Sequence, residues 1–313
     1  MAEKNYTVLL EFFLLGFSDI RALQGPLFCM VLLVYLVSLL GNSLIIILTR
    51  VSPMLHSPMY FFLHHLSIVE ILYTTTIVPR TLADLASPCL RSISFQGCVA
   101  QMYVFIVLGI SECCLLTAMA YDRYAAICRP LHYSTLMSQQ ACMIMVATSW
   151  LIGFITATTH SSLIFTLPFP NHPVIPHFFC DILPVLRLAS AGKHKSEISV
   201  MTATVVLIMV PFSLIVISYA CILGAILAMA STQSRQKVFS TCSSHLFVVS
   251  LFFGTASITY IQPQGSTSVN EDRILSLFYT VITPMLNPII YTLRNREVTG
   301  ALQHMMKRQV LLL

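Results

Sequence analysis

The sequence predicts an all-α membrane protein, a seven-transmembrane helical bundle. Three observations carry this expectation. Of the 313 residues, 57% are apolar and 9% charged, where a soluble domain carries about 25% charged residues. The apolar positions fall in blocks of roughly 20 residues or more, long enough to cross about 30 Å of hydrocarbon as helix. The blocks are continuous, which argues against the alternating strands of a membrane barrel.

Taken in order, the spans are expected at 27–49, 58–80, 98–124, 142–166, 198–228, 238–262 and 272–293, the fourth least sharply bounded at its far end. This divides the chain into an N-terminal segment 1–26, a seven-span domain 27–293 and a tail 294–313. The first residues mix Glu3, Lys4, Glu11 and Asp19 and lack the basic start and short greasy core of a cleavable leader, so the first block is expected to act as its own signal. Pro211 and Pro288 interrupt two spans, with Pro284 one turn ahead of Pro288. Prolines remove helix hydrogen bonds and permit kinks, which suits a bundle with two packings, although they are also ordinary in membrane helices. No block repeats another in the manner of an inverted-repeat transporter.

Seven spans put the termini on opposite sides. Lys and Arg divide almost evenly between the two sides, while the acids divide better: Asp122 and Glu297 lie on one, and Glu3, Glu11, Asp19, Asp84, Asp181, Glu197, Glu271 and Asp272 on the other. The basic side suits an anionic cytoplasmic leaflet, a modest indication because the positive-inside rule is not a net-charge rule. Asn5-Tyr6-Thr7 is a glycosylation acceptor and agrees with an external N-terminus. The formal charge of +5, so distributed, points to membrane lipid and not to nucleic acid.

Between Cys98 and Arg123 a helix rises about 37 Å at roughly 1.5 Å per residue, so Cys98 lies at the outer face when Arg123 lies at the inner one. Cys180, in the connection between the fourth and fifth spans, is also external. A Cys98–Cys180 disulfide would tie that connection across the mouth of the bundle, with Cys89 as an alternative partner. At the inner end, Asp122 and Arg123 form an adjacent acid–base pair. A buried arginine must reach water or pair, so Arg123 is either an interfacial anchor or a group that exchanges Asp122 for a protein in the aqueous phase. Asn42, Glu70, Glu112 and Asn287 fall near mid-membrane. Two carboxyls at that depth share protons or coordinate a cation such as Na⁺, unless all four are neutral and serve to hold helices together.

Several runs together resemble a known family. They are Gly41-Asn42, Leu55–Leu63 (LHSPMYFFL), Met119–Cys128 (MAYDRYAAIC), Ser218-Tyr219, Lys237–His245 (KVFSTCSSH) and Pro284–Tyr291 (PMLNPIIY). The chain resembles a rhodopsin-type G-protein-coupled receptor and, more narrowly, a vertebrate olfactory receptor. The resemblance implies a small volatile organic ligand and a heterotrimeric G protein of the stimulatory, olfactory type that raises cAMP. It implies a Cys98–Cys180 bridge, and an activation lock at Asp122, Arg123 and Tyr124 that rearranges together with Tyr219 and Tyr291. It also implies an amphipathic helix over about 294–308 along the inner leaflet. Two departures stand out. Glu70 replaces the family's usual Asp, and Pro170 and Ser190 stand where the outer loop usually has two further cysteines. With one staple fewer, that loop is expected to be more mobile. His177-Phe-Phe-Cys180-Asp181 resembles a segment sometimes proposed to hold metal, but a bridged Cys180 has no thiolate to offer.

In such a fold the ligand sits among the outer halves of spans three, five, six and seven. The expected lining is Phe105, Ile106, Gly109 and Ile110, then Ala203, Thr204, Leu207 and Ile208, then Phe253, Ala256, Ser257 and Tyr260, and finally Leu277 and Thr280. Gly109 either leaves room for a ligand or serves close packing. With no acid at Phe105, the expected ligand is small, neutral and lipophilic, with one oxygen for Tyr260 or Ser257 to bond; apolar burial at about 25 cal/mol per Å² supplies most of its affinity. No cofactor beyond Na⁺ is expected, and nothing resembles a catalytic cluster. A receptor of the same fold for a non-odorant metabolite is the first alternative, and a transporter the second.

Overall fold

The computed structural model describes residues 11–17, 23–87, 91–190, 193–229, 231–261, 269–293 and 298–303. Asn5, Cys89, Arg294 and the chain beyond residue 303 lie outside them. Seven helical stretches are long and apolar enough to cross a membrane. They are α1 (Gln24–Val51), α2 (Pro58–Ala86), α3 (Phe95–Cys128), α5 (Gln139–Phe165), α7 (Lys193–Ala228), α8 (Thr232–Ile261) and a composite seventh. The short helices α4 (Tyr133–Leu136) and α6 (Ile182–Leu188) lie in connections. The seventh span is built from α9 (Val269–Leu277), a π-helical turn over Phe278–Ile282 and α10 (Thr283–Leu293).

Most helices extend past the expected apolar blocks, and at α3 and α5 a serine caps the helix outside the greasy run. Ser94 accepts from the Gly97 amide at 3.1 Å to start α3, Ser138 accepts from Ala141 to start α5, and Pro58 sits in the first turn of α2. The serines satisfy amides that a helix start leaves without partners, and Pro58 removes one such donor. Inside the spans Thr and Ser turn their hydroxyls onto the carbonyl one turn back, as Thr74 does to Glu70 at 2.9 Å. That satisfies a polar atom where no water reaches.

The longest of the buried spans, α3, packs against α5, α7 and α2, while α1 packs against α2 and α10. Two glycines set the closest approaches. A Cβ on Gly41 would lie 2.9 Å from Pro288 Cβ, and one on Gly153 would lie 2.6 Å from the Val107 carbonyl oxygen. Small residues at such crossings let helix backbones approach closely.

One end of the bundle carries a small sheet that the sequence reading did not anticipate. Strand β1 (Glu11–Leu14) lies between β2 (Ser92–Ser94), which it pairs antiparallel, and β3 (Val174–Ile175), which it pairs parallel. Phe12 of β1 is fully buried and meets Phe95, Phe165 and Phe169 at ring separations of 5.9, 6.4 and 5.4 Å. The loop between α5 and α7, expected to be more mobile with one staple fewer, makes three attachments. Cys98 bonds Cys180, β3 is tied to β1, and the Ser190 amide donates to the Pro168 carbonyl at 2.9 Å, closing the loop beside Pro170. Backbone pairing and an aromatic box hold what a second disulfide would have held.

Candidate functional site

At the sheet-bearing end, the α5–α7 loop descends between α3, α8 and α9. The disulfide pins it to the start of α3, and Gln101 reinforces that contact. Its Oε1 accepts from the Cys180 amide at 3.0 Å, and its Nε2 donates to the Thr76 carbonyl at 3.1 Å. Phe179 thereby lands on Phe105 with ring centroids 5.1 Å apart, and Tyr73 faces Phe105 at 5.3 Å. Both Phe105 and Ile106 are buried. A Cβ at Gly109 would make ordinary contact with Tyr73 at 3.7 Å, so the glycine is not forced by packing.

Next along the loop comes Asp181, 2% exposed, the hub of a polar network. Its Oδ1 accepts from the Ile182 amide at 2.7 Å, which starts α6, and from the Tyr260 hydroxyl at 2.9 Å. Its Oδ2 accepts from the Tyr279 hydroxyl at 3.2 Å. Tyr279 and Ser276 share a hydrogen bond at 3.0 Å, and Ser276 meets His177 Nε2 at 3.0 Å. Burial pushes the Asp181 carboxyl up to about 6, against the pull of Tyr260, the Ile182 amide and Tyr279, while the Asp272 charge adds to burial. Burial first, and the Arg273 charge second, hold His177 down to about 3, so its ring is neutral. Among the described residues no group of three or more His, Cys, Asp or Glu could hold a metal, and Cys180 is spent in the bridge.

The remaining expected lining is placed as follows. Thr204, Ile208, Phe253, Ala256 and Leu277 are buried, and Ala203, Leu207, Ile110 and Ser257 are partly so. Phe253 stacks loosely on Phe212 at 5.6 Å. Thr204 and Thr280 spend their hydroxyls on their own helices, on Val200 and Ser276 carbonyls at 2.8 and 2.6 Å. Tyr260, expected to bond a ligand oxygen, donates to Asp181 instead. Tyr279, outside the expected lining, lies on the π-helical turn between Leu277 and Thr280. Its ring lies 6.5 Å from Phe105 and 6.4 Å from Tyr260. The sequence marks Asp181 only as an external acid and as part of a metal-like segment; its place at the start of α6 is the signal that identifies it.

Near the middle of the bundle, Asn287 donates to Glu70 Oε1, and Asn42 donates to the Pro284 carbonyl at 3.2 Å and the Ser38 carbonyl at 3.1 Å. Glu112 is the electrostatic neighbour of Glu70. Glu70 Oε2, Glu112 Oε1 and Asn287 Oδ1 are buried without a hydrogen-bond partner.

At the opposite end, Asp122 is buried and accepts from the Tyr133 hydroxyl of α4 at 2.8 Å. Its Oδ2 lies 3.7 Å from Arg123 Nε, and the arginine side chain keeps 18% of its surface exposed. Tyr124 is partly buried beside Tyr121 at 6.2 Å. Tyr219 shares a 2.7 Å hydrogen bond with His245 Nδ1 across α7 and α8. His245 closes a run quoted from the sequence but was given no role, and Tyr133 lay in a connection with no pattern to mark it. Tyr291 falls on α10, its side chain outside those described.

A seven-span bundle with a roofed apolar interior at one end and an Asp–Arg pair at the other defines a multi-pass receptor of the cell membrane. The family model described as olfactory receptor matches residues 28–309, and the chain belongs to the olfactory receptor family, a family of receptors and not of enzymes. It is 79% identical to human (Homo sapiens) Olfactory receptor 10P1 over 99% of each chain. It is 60% identical to mouse (Mus musculus) Olfactory receptor 10P22 over 98% of each. To human Olfactory receptor 10A7 it is 48% identical, over 99% of this chain and 98% of the relative. Odorant reception and coupling to a G protein follow in general terms from that membership.

Proposed function

We propose that this receptor takes small, neutral, lipophilic volatiles against Phe105, Ile106, Leu207, Phe253 and Ala256, and activates a stimulatory olfactory-type G protein to raise cAMP. The observation that carries the ligand class is the engagement of Asp181. Its two oxygens already accept from two phenols and an amide, so an ammonium ligand would have to compete with three buried neutral donors for it. Apolar burial then supplies the affinity, the Ser257 hydroxyl supplies orientation, and Tyr260 acts through the Asp181 network to which it donates. Coupling falls to Asp122, Arg123 and Tyr124, with Tyr219 and Tyr291, because Arg123 sits at the bundle's end with part of its surface open. A ligand shifts the bundle only by binding one packing better than the other.

In this reading residues 1–26 are extracellular with a glycan on Asn5, 27–293 form the receptor domain, and 294–313 are a cytoplasmic tail on the inner leaflet. The acid distribution and the disulfide at the sheet-bearing end support that orientation. The three unpartnered oxygens of Glu70, Glu112 and Asn287 fit a hard cation such as Na⁺, which takes oxygen ligands; a shared proton is the competing occupant.

The test is a cAMP reporter assay against a panel of neutral odorants, with surface expression measured in parallel. Arg123→Ala is expected to abolish the response at equal surface expression, and Tyr260→Phe to reorder the odorants. Normal signalling by Arg123→Ala would sink the coupling mechanism. Repeating the titration with Na⁺ replaced at constant ionic strength should shift the wild type but not Glu112→Gln; indifference in both leaves the four polar residues a packing role alone.

A further inference from the structure

The segment ahead of α1 reaches the ligand-facing aromatics through a continuous series of rings. Leu15 and Gly16 donate their amides to the Ile175 and His177 carbonyls at 2.9 and 3.1 Å. Gly16 then takes φ 53°, a left-handed conformation open to glycine at little cost, and the chain folds back so that Phe17 is buried. Its ring stacks on Phe178 at 5.4 Å and 24°. Phe178 meets Phe179 at 5.1 Å, and Phe179 meets Phe105 at 5.1 Å. Gln24 Nε2 donates to the Phe17 carbonyl at 3.3 Å, fixing the fold-back to the start of α1. His177 supports the same pair from the other side, 4.6 Å from Phe178 and 4.7 Å from Phe179, itself held by Ser276.

We propose that Phe17 is a positioning residue for ligand selectivity: through Phe178 and Phe179 it sets how closely the loop roof presses on Phe105. The inference rests on the reading that odorants bind against Phe105. Phe17 and Phe178 share a crevice with Thr81, Asp84 and Leu85, so loss of the Phe17 ring leaves room into which Phe178 can swing, and Phe179 follows it away from Phe105. Bulky ligands gain space and compact ones lose contact. Phe12 provides the contrast. It lies on the same segment but is boxed by Phe95, Phe165 and Phe169, so it supports the sheet without entering the series of rings.

The experiment uses the purified full-length receptor and measures thermal stabilisation by a panel of paired bulky and compact odorants, with neutral, acidic and basic members. Phe17→Ala should change the bulky-to-compact ratio of apparent affinities about tenfold, the size of effect that one altered apolar contact produces in a pocket. Phe17→Tyr should keep the wild-type ratio, and Phe12→Ala should lower the melting temperature of the unliganded receptor with the ratio unchanged. An unchanged ratio in Phe17→Ala overturns the proposal, as does an equal change in Phe12→Ala, which would mean general loosening. Where Phe17→Ala does not fold, Phe17→Leu keeps the bulk without the stacking and is judged the same way. A wild type that selects acids or amines defeats the neutral-ligand reading, while the ratio still decides the role of Phe17.

Discussion

Asp181 and Asp122 are buried carboxyl groups at opposite ends of the bundle, each held by tyrosine hydroxyls. Asp181 is held by neutral donors, the phenols of Tyr260 and Tyr279 and the Ile182 amide. Asp122 has one phenol, from Tyr133, and a cation beside it, Arg123 at 3.7 Å. The contrast fits the two tasks proposed for these ends. A network of directional neutral bonds fixes geometry, which is what a roof over a binding site needs. A loose charge pair near water has little to lose by changing partner, which is what a coupling switch needs.

That comparison can be broken most forcefully at its hub. Asp181→Ala leaves two buried hydroxyls and an amide without their acceptor, and should destabilise the receptor by about 2–4 kcal/mol, read as thermal unfolding of the purified protein. A loss no larger than that of an exposed substitution would show that the network does not hold the roof. A smaller effect is expected at the other end. Tyr133→Phe removes one bond from Asp122, worth about 1 kcal/mol, and should raise basal cAMP about fivefold if the bond favours the inactive packing. Basal cAMP at the wild-type level would leave Tyr133 outside the switch.

The subtlest test is pH. His177 sits near 3 against an ordinary 6.5, so between those values the unfolded chain binds a proton that the native one does not, and acidification from neutral pH costs stability. Asp181 sits near 6 against 3.8. There the native state takes the proton first, and acidification below about pH 6 adds stability. The two oppose each other in the wild type. Between pH 7 and 5, Asp181→Asn should therefore lose more thermal stability than the wild type, and His177→Gln less. Parallel losses in all three proteins would mean that neither group titrates as its surroundings imply.

The spans were legible because uninterrupted apolar runs in lipid leave the chain little choice but helix. Asp122 and Arg123 were legible because charge in such a chain is rare, and because the run around them resembles a family motif. The roof was not. Strand β1 reads Glu-Phe-Phe-Leu, four residues whose partners lie at Ser92–Ser94 and Val174–Ile175, and no local period announces pairing at that distance. Tyr279 is marked only by its contacts to Asp181 and Phe105, and Asp181 lies in a connection where polar residues are unremarkable. In each case the missing information was tertiary, carried by the loop that the disulfide draws inward.

The order of the strands, β2-β1-β3, has a consequence for synthesis. Its middle strand is the first to leave the ribosome, yet β2 follows it only after two spans and β3 only after four. The two outer strands do not pair with each other, so Glu11–Leu14 gains its antiparallel partner after two spans and its parallel one only after four. The roof is therefore completed late, around a strand that precedes every span it sits on.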